Sequence, residues 1–145
     1  MLERLTHQDL EELVDLEKRV FDHPWKKEDF SYEINDNPFA KYYCIRVNQK
    51  IIAYIGTWLN EDRVEITNVG VDPNYRRLGF GKQLVSECLE LMKNQGGRVF
   101  TLEVRETNLA AIGLYQYFGF EKVALRKNYY TDTHEDAYLM MMEVK

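Results

Sequence analysis

The apolar positions of this chain change period several times, and each change marks an element boundary. Residues 2–5 read as a short strand, and Thr6 with Asp9 has capping-box spacing, with Asp in place of the usual Glu. Leu10, Leu13, Val14, Glu17, Val20 and Phe21 then recur at helical spacing. Pro24 breaks that helix. Residues 26–35 predict a second, with Phe30 and Ile34 on one face, stopped by Asn35-Asp36-Asn37-Pro38. Three β-rich runs follow, 41–47, 51–60 and 63–71, joined by connections short enough for antiparallel hairpins. In the third run Val64, Ile66, Val69 and Val71 start with period two and slip phase after Asn68. That slip is the pattern of a bulge or splay, which frees backbone groups for a ligand.

After Pro73 the spacing switches to Leu84, Val85, Cys88, Leu91 and Met92, one face of a helix over 81–95 that stops at Gly96-Gly97. Residues 98–104 (RVFTLEV) form an apolar strand that returns through this helical crossover, so it should lie parallel to the 64–71 run. Residues 108–117 make a short helix stopped by Gly119, and 121–128 and 136–144 make a last pair of strands around a polar loop. The order βααβββαβαββ, parallel only at its centre, is an α/β mixed sheet with splayed central strands and flanking helices. At 145 residues, 45% of them hydrophobic, it is expected to be a single domain over 1–145.

The turn into the central helix reads Arg76-Arg77-Leu78-Gly79-Phe80-Gly81-Lys82. Its glycines let backbone approach a ligand, and the unpaired N–H groups of a helical first turn attract phosphate oxygens. A Walker loop is excluded, because Gly81-Lys82 is followed by Gln83 and lacks the upstream glycine; a dinucleotide fingerprint needs three glycines after the first strand. The plain alternative is a glycine-containing βα turn with two solvated arginines. Arg-x-x-Gly-x-Gly after a strand, Arg76 through Gly81, resembles the pyrophosphate motif of the GCN5-related N-acetyltransferases, whose ligand is acetyl-coenzyme A.

Charge narrows the partners. Nineteen basic against 24 acidic residues, net −5, argues against general nucleic-acid binding and is compatible with a basic protein or peptide. The longest nearly apolar run, 51–59, is about half the ~20 residues a membrane span requires, and the charged N-terminal segment has no signal-peptide core, so a cytoplasmic location is expected. Cys44 and Cys88 read as buried thiols. His7, His23 and His134 have no ligand spacing, so no metal is assigned.

Glu103, in Leu102-Glu103-Val104-Arg105-Glu106-Thr107-Asn108, falls near the C-terminal end of the second parallel strand, where open α/β sheets place ligands. The alternation of Phe100, Leu102 and Val104 puts it on the opposite sheet face from those three. Tyr115 lies two helical turns beyond Asn108 beside Phe118, a setting in which an aromatic ordinarily serves as core packing. L-E-V-R-x-x-N, A-x-x-L-Y-x-x-x-G-F, R-x-N-Y-Y and H-E-D-A together are similar to the bacterial ribosomal-protein-alanine N-acetyltransferases, and His23-Pro24-Trp25 and Ile66-Thr67-Asn68 extend the likeness over the chain.

That resemblance implies Glu103 as general base for the acceptor amine and Tyr115 as acid toward the departing coenzyme A thiolate. It further implies that backbone groups of Val69 and Val71 align the pantetheine arm and polarise the thioester. Arg76, Arg77, Leu78, Gly79, Phe80, Gly81 and Lys82 would surround the pyrophosphate, and Asn108, equally readable as a helix N-cap, would bond the coenzyme. The acceptor implied is the N-terminus of a ribosomal small-subunit protein that begins with alanine. Other N-termini, a lysine or a small amine are alternatives, as is a non-catalytic acyl-coenzyme A sensor or assembly subunit. Trp25, Tyr129 and Tyr130 are candidate walls of a peptide groove. Thr131 replaces the family's usual proline.

Overall fold

The computed structural model describes residues 1–144. Its strands are β1 (Glu3–Arg4), β2 (Ala40–Val47), β3 (Lys50–Asn60), β4 (Arg63–Val71), β5 (Val99–Arg105), β6 (Glu121–Tyr130) and β7 (Glu135–Glu143), with helices α1 (Leu10–Val20), α2 (Lys27–Ser31), α3 (Phe80–Asn94) and α4 (Leu109–Tyr117). Apart from short turns this is the order read from the sequence. The strands form one sheet, β1-β2-β3-β4-β5-β7-β6, in which only β4 and β5 run parallel.

Two boundaries differ from the sequence reading by more than one residue. The second helix is α-helical only through Ser31 and continues as a π-helical turn, Tyr32–Asp36, where the Glu33 carboxylate accepts from Trp58 Nε1 at 2.7 Å and from Asn37 at 3.0 Å. Those side-chain bonds come from distant and downstream residues, which periodicity does not report. Strand β6 runs two residues further than expected, to Tyr130, because Tyr130 pairs with Glu135 across the hairpin.

Each sheet face carries its own core. Leu84, Val85, Cys88 and Met92 of α3 and Ile112 and Tyr115 of α4 pack on Ile66, Phe100, Leu102 and Val104. Leu10, Leu13 and Leu16 of α1 and Phe30 of α2 pack on Tyr42, Cys44, Ile51 and Tyr54 of the other face. Fully burying one such side chain is worth roughly 1.5–3 kcal/mol. Helices α1 and α2 lie over β2 and β3, with α1 also reaching β4, and the same face is open at β5 and β7.

The sheet parts at its centre. Gly56 pairs with Asn68 and Thr57 with Ile66, so Thr67 is the extra residue of a bulge, one position before the slip in the apolar pattern. The parallel pairing of β4 with β5 runs from Arg63↔Val99 to Ile66↔Leu102 and ends at that bulge. Beyond it each strand continues without the other.

Candidate active site

A cleft of about 250 Å³ opens where β4 and β5 part. Ile66, Thr67, Asn68 and Val69 line it from one strand, and Leu102, Glu103, Val104 and Arg105 from the other; Asn108, Ala111 and Tyr115 come from the α4 side, Glu17, Phe21, His23 and Trp25 from the α1 side, and Tyr130 from β6. Glu103 and Tyr115 lie on opposite faces of the sheet. They reach one cleft because the parted strands leave no sheet between them.

Glu103 stands on the open face. Arg126 Nε lies 3.5 Å from its carboxylate. Hydrogen bonding toward Glu103, with burial and the carboxylate's own charge, pushes the Tyr129 phenol above its ordinary pKa. Burial and the Glu103 charge likewise raise the carboxyl of Glu65, and the Arg126 charge opposes that rise. On the other side Tyr115 is 7% exposed and packs edge-on to Phe120, ring centres 5.8 Å apart. Burial first, then the neighbouring Tyr130 and Cys88, pushes its phenol up to about 12.

The far end of β4 provides backbone. Asp72 N–H donates to Ile52 O, so the alternation of an antiparallel ladder turns the N–H and C=O groups of Val69 and Val71 away from β3, into the gap that β5 leaves. Buried Asp72, ion-paired with Arg19 at 2.9 Å, accepts from Asn74 N–H and fixes the start of the following loop. In that loop Arg77 has φ +64° and Gly79 φ +88°, two left-handed residues that bring the chain to the α3 N-terminus. The first bond within α3 is Gln83 N–H to Gly79 O, leaving the N–H groups of Phe80, Gly81 and Lys82 with no carbonyl to reach inside the helix. A Cβ added at Gly79 meets nothing within 4 Å, and one at Gly81 only Leu114 and Val71 at 3.9 Å. Arg76, Arg77 and Leu78 are exposed, Arg76 touching Val71 O at 3.4 Å, and Lys82 Nζ sits 4.1 Å above the Tyr117 ring. Free N–H groups, open space and mobile cations suit a pyrophosphate, and the unpaired strand edge suits an amide-bearing arm.

The remaining candidates divide. Asn108 lines the cleft, while its side chain accepts from Ala111 N–H at 3.2 Å as the N-cap of α4. Trp25 and Tyr130 are cleft walls; Tyr129, 46% exposed, instead turns to Glu103. Among the cleft residues that were not site candidates in the sequence, Arg105 and Glu17 make the most polar contacts. Arg105 stacks on Tyr130 at 3.9 Å and bonds Asp132 and Thr133 of the β6–β7 loop and Glu135 at the start of β7, and buried Glu17 accepts from Trp25 N–H. The one trace of Glu17 in the sequence is a charged residue at an apolar position of the α1 stripe. Among the described residues no group of potential ligands could hold a metal ion, and no helix is long and apolar enough to cross a membrane.

A donor with a pyrophosphate at one end and an acyl group at the other matches this strand edge and helix terminus, and the class of protein built this way is the acetyl-coenzyme A-dependent N-acetyltransferases. The chain belongs to the acetyltransferase (GNAT) family, whose family model matches residues 10–120. A Bacillus subtilis protein is 37% identical over 137 residues, covering 94% of this chain and 91% of that one. The Escherichia coli K12 [ribosomal protein bS18]-alanine N-acetyltransferase is 33% identical over 140 residues, covering 94% and 92%. The crystal structure of the E. coli ribosomal-protein-S18-alanine N-acetyltransferase superposes with a TM-score of 0.92 at 31% identity, over 100% of this chain and 94% of that one.

Proposed function

We propose that this enzyme acetylates the N-terminal α-amine of a protein, the substrate being the N-terminal alanine of ribosomal protein bS18, as the names of its E. coli relatives state for them. An acceptor of that kind puts the reaction in the cytoplasm. The observation that carries the chemistry is that Glu103 and Tyr115, from opposite sheet faces, line one cleft.

The bound coenzyme supplies the acetyl group as a thioester. The N–H groups of Val69 and Val71 hold its arm in line and polarise the carbonyl, with the α3 N-terminus, Arg76, Arg77 and Lys82 at the pyrophosphate. Glu103 takes the proton of the acceptor amine, its carboxylate oriented by Arg126 and Tyr129. An α-amine of pKa ≈ 7.7–8.0 is roughly a tenth neutral at pH 7, whereas lysine at ≈ 10.4 needs about 3.4 kcal/mol more, so a carboxylate base suits an N-terminus. Tyr115 acts as a hydrogen-bond donor to the departing sulfur. With its phenol at about 12, full proton transfer to a thiolate of pKa ≈ 8.5 is uphill by roughly 5 kcal/mol. Trp25 and Tyr130 flank the acceptor peptide.

The test is acetyl transfer to an alanine-starting hexapeptide with the bS18 N-terminus, beside the same peptide N-blocked and carrying a lysine. Transfer to the free α-amine alone is expected. Equal transfer to lysine overturns the N-terminal reading.

A further inference from the structure

Beneath the bulge lies a chain of side-chain hydrogen bonds that the chemistry above does not use. Tyr42, on β2, stands opposite Gly56 of β3, where a Cβ would come within 2.4 Å of its ring; Tyr54 stands opposite Gly70 of β4, where a Cβ would come within 2.8 Å. Only glycine leaves room for these rings to lie flat along the sheet. Their hydroxyls therefore reach the bulge.

The bonds run in one direction. The Thr67 hydroxyl donates to Tyr42 O at 3.2 Å, and Tyr42 O–H donates to Asn68 Oδ1 at 2.9 Å. Asn68 also acts on the Tyr54 phenol, opposing the rise that burial and Glu17 impose on it, and Tyr54 O–H donates to Glu17. Glu17, 2% exposed, accepts on its other oxygen from Trp25 N–H at 3.0 Å. Two donors thus converge on the last group, which must have two acceptors and no donor of its own. Among neutral or charged side chains of this length only a carboxylate meets that requirement. Desolvation raises the Glu17 pKa, and the two donors oppose that rise.

We infer that Glu17 is a positioning residue: its one carboxylate ends the bond chain that fixes the β4 bulge and also anchors the Trp25 wall, so the coenzyme side and the acceptor side of the cleft share a single support. This deepens the proposed N-terminal acetyltransferase reading and rests on it for its kinetic readout. Cooperative, fully satisfied buried networks specify one geometry, and small misplacements of reacting groups are costly in rate.

The experiment is a double-mutant cycle of Tyr54→Phe and Glu17→Gln, with kcat and peptide KM measured on the alanine peptide and backbone amide exchange measured on the free protein. In Glu17→Gln an oxygen kept for Trp25 N–H turns the amide N–H toward Tyr54 O, where it meets the Asn68 donor. Tyr54→Phe removes that conflict. Each single variant is expected to lower kcat roughly tenfold with peptide KM within about twofold, and the double variant to be no slower than Tyr54→Phe alone. Exchange at residues 68–71 should rise in Tyr54→Phe while Trp25 stays protected. Additive losses, or a lower Tm with kcat and exchange at 68–71 unchanged, overturn the proposal. If wild type leaves the peptide unacetylated while exchange responds as stated, the acceptor reading fails and the support role of Glu17 stands.

Discussion

The two ends of the cleft are built from different material. The end proposed for the coenzyme is mainly backbone: an unpaired stretch of β4, two left-handed residues and the free N–H groups of α3, beside exposed Arg76, Arg77 and Leu78. The end proposed for the acceptor is held by side-chain contacts: Glu17 with the Trp25 N–H, and, across long stretches of chain, Arg105 with Asp132, Thr133 and Glu135, and His23 Nε2 3.9 Å from Asp132. Backbone recognition tolerates side-chain change and fails on backbone change. A wall made of long-range contacts does the opposite.

The largest effect should therefore come from a backbone change at the coenzyme end. Gly79→Val places a β-branched residue at φ +88° and a side chain in open ligand space; at about 2 kcal/mol it should weaken acetyl-coenzyme A binding roughly thirtyfold, read by calorimetric titration. At the acceptor end Arg105→Lys keeps the charge and loses the forked bonds and the stack on Tyr130. Peptide KM should rise roughly fivefold in steady-state assays, with coenzyme affinity unchanged. Leu78→Ala removes a 65% exposed loop side chain and should move coenzyme affinity less than about twofold.

The smallest effect is an absence of change with pH. An ordinary phenol is half ionised near pH 10, whereas Tyr115 is raised to about 12, so kcat should show no alkaline loss from this group through about pH 10. Folding favours its protonated form; that contribution to stability is whole below about pH 10 and is lost as pH rises toward 12, which a series of alkaline melts would record.

The same division decides what could be read from sequence. The order of elements, the parallel centre and the Arg76 to Lys82 turn are local patterns, and local period and turn residues report them directly. The bulge showed as a phase slip, one residue late, because the extra residue Thr67 is identified only by what pairs across from it on β3. Tyr129 and Tyr130 looked equivalent as neighbours, but strand alternation sends one to Glu103 and the other into the cleft. The pKa of Tyr115 and the part played by Glu17 depend on burial and partners 8 to 37 residues away, which no motif encodes.

The separation of these two ends is tested most directly by Glu103→Gln. The substitution preserves shape and removes the proposed base without touching the β4 edge or the α3 N-terminus. Measured side by side, acetyl-coenzyme A affinity should stay within about twofold while kcat on the alanine peptide falls roughly a hundredfold. A parallel loss of coenzyme affinity, or an undiminished rate, would contradict the assignment.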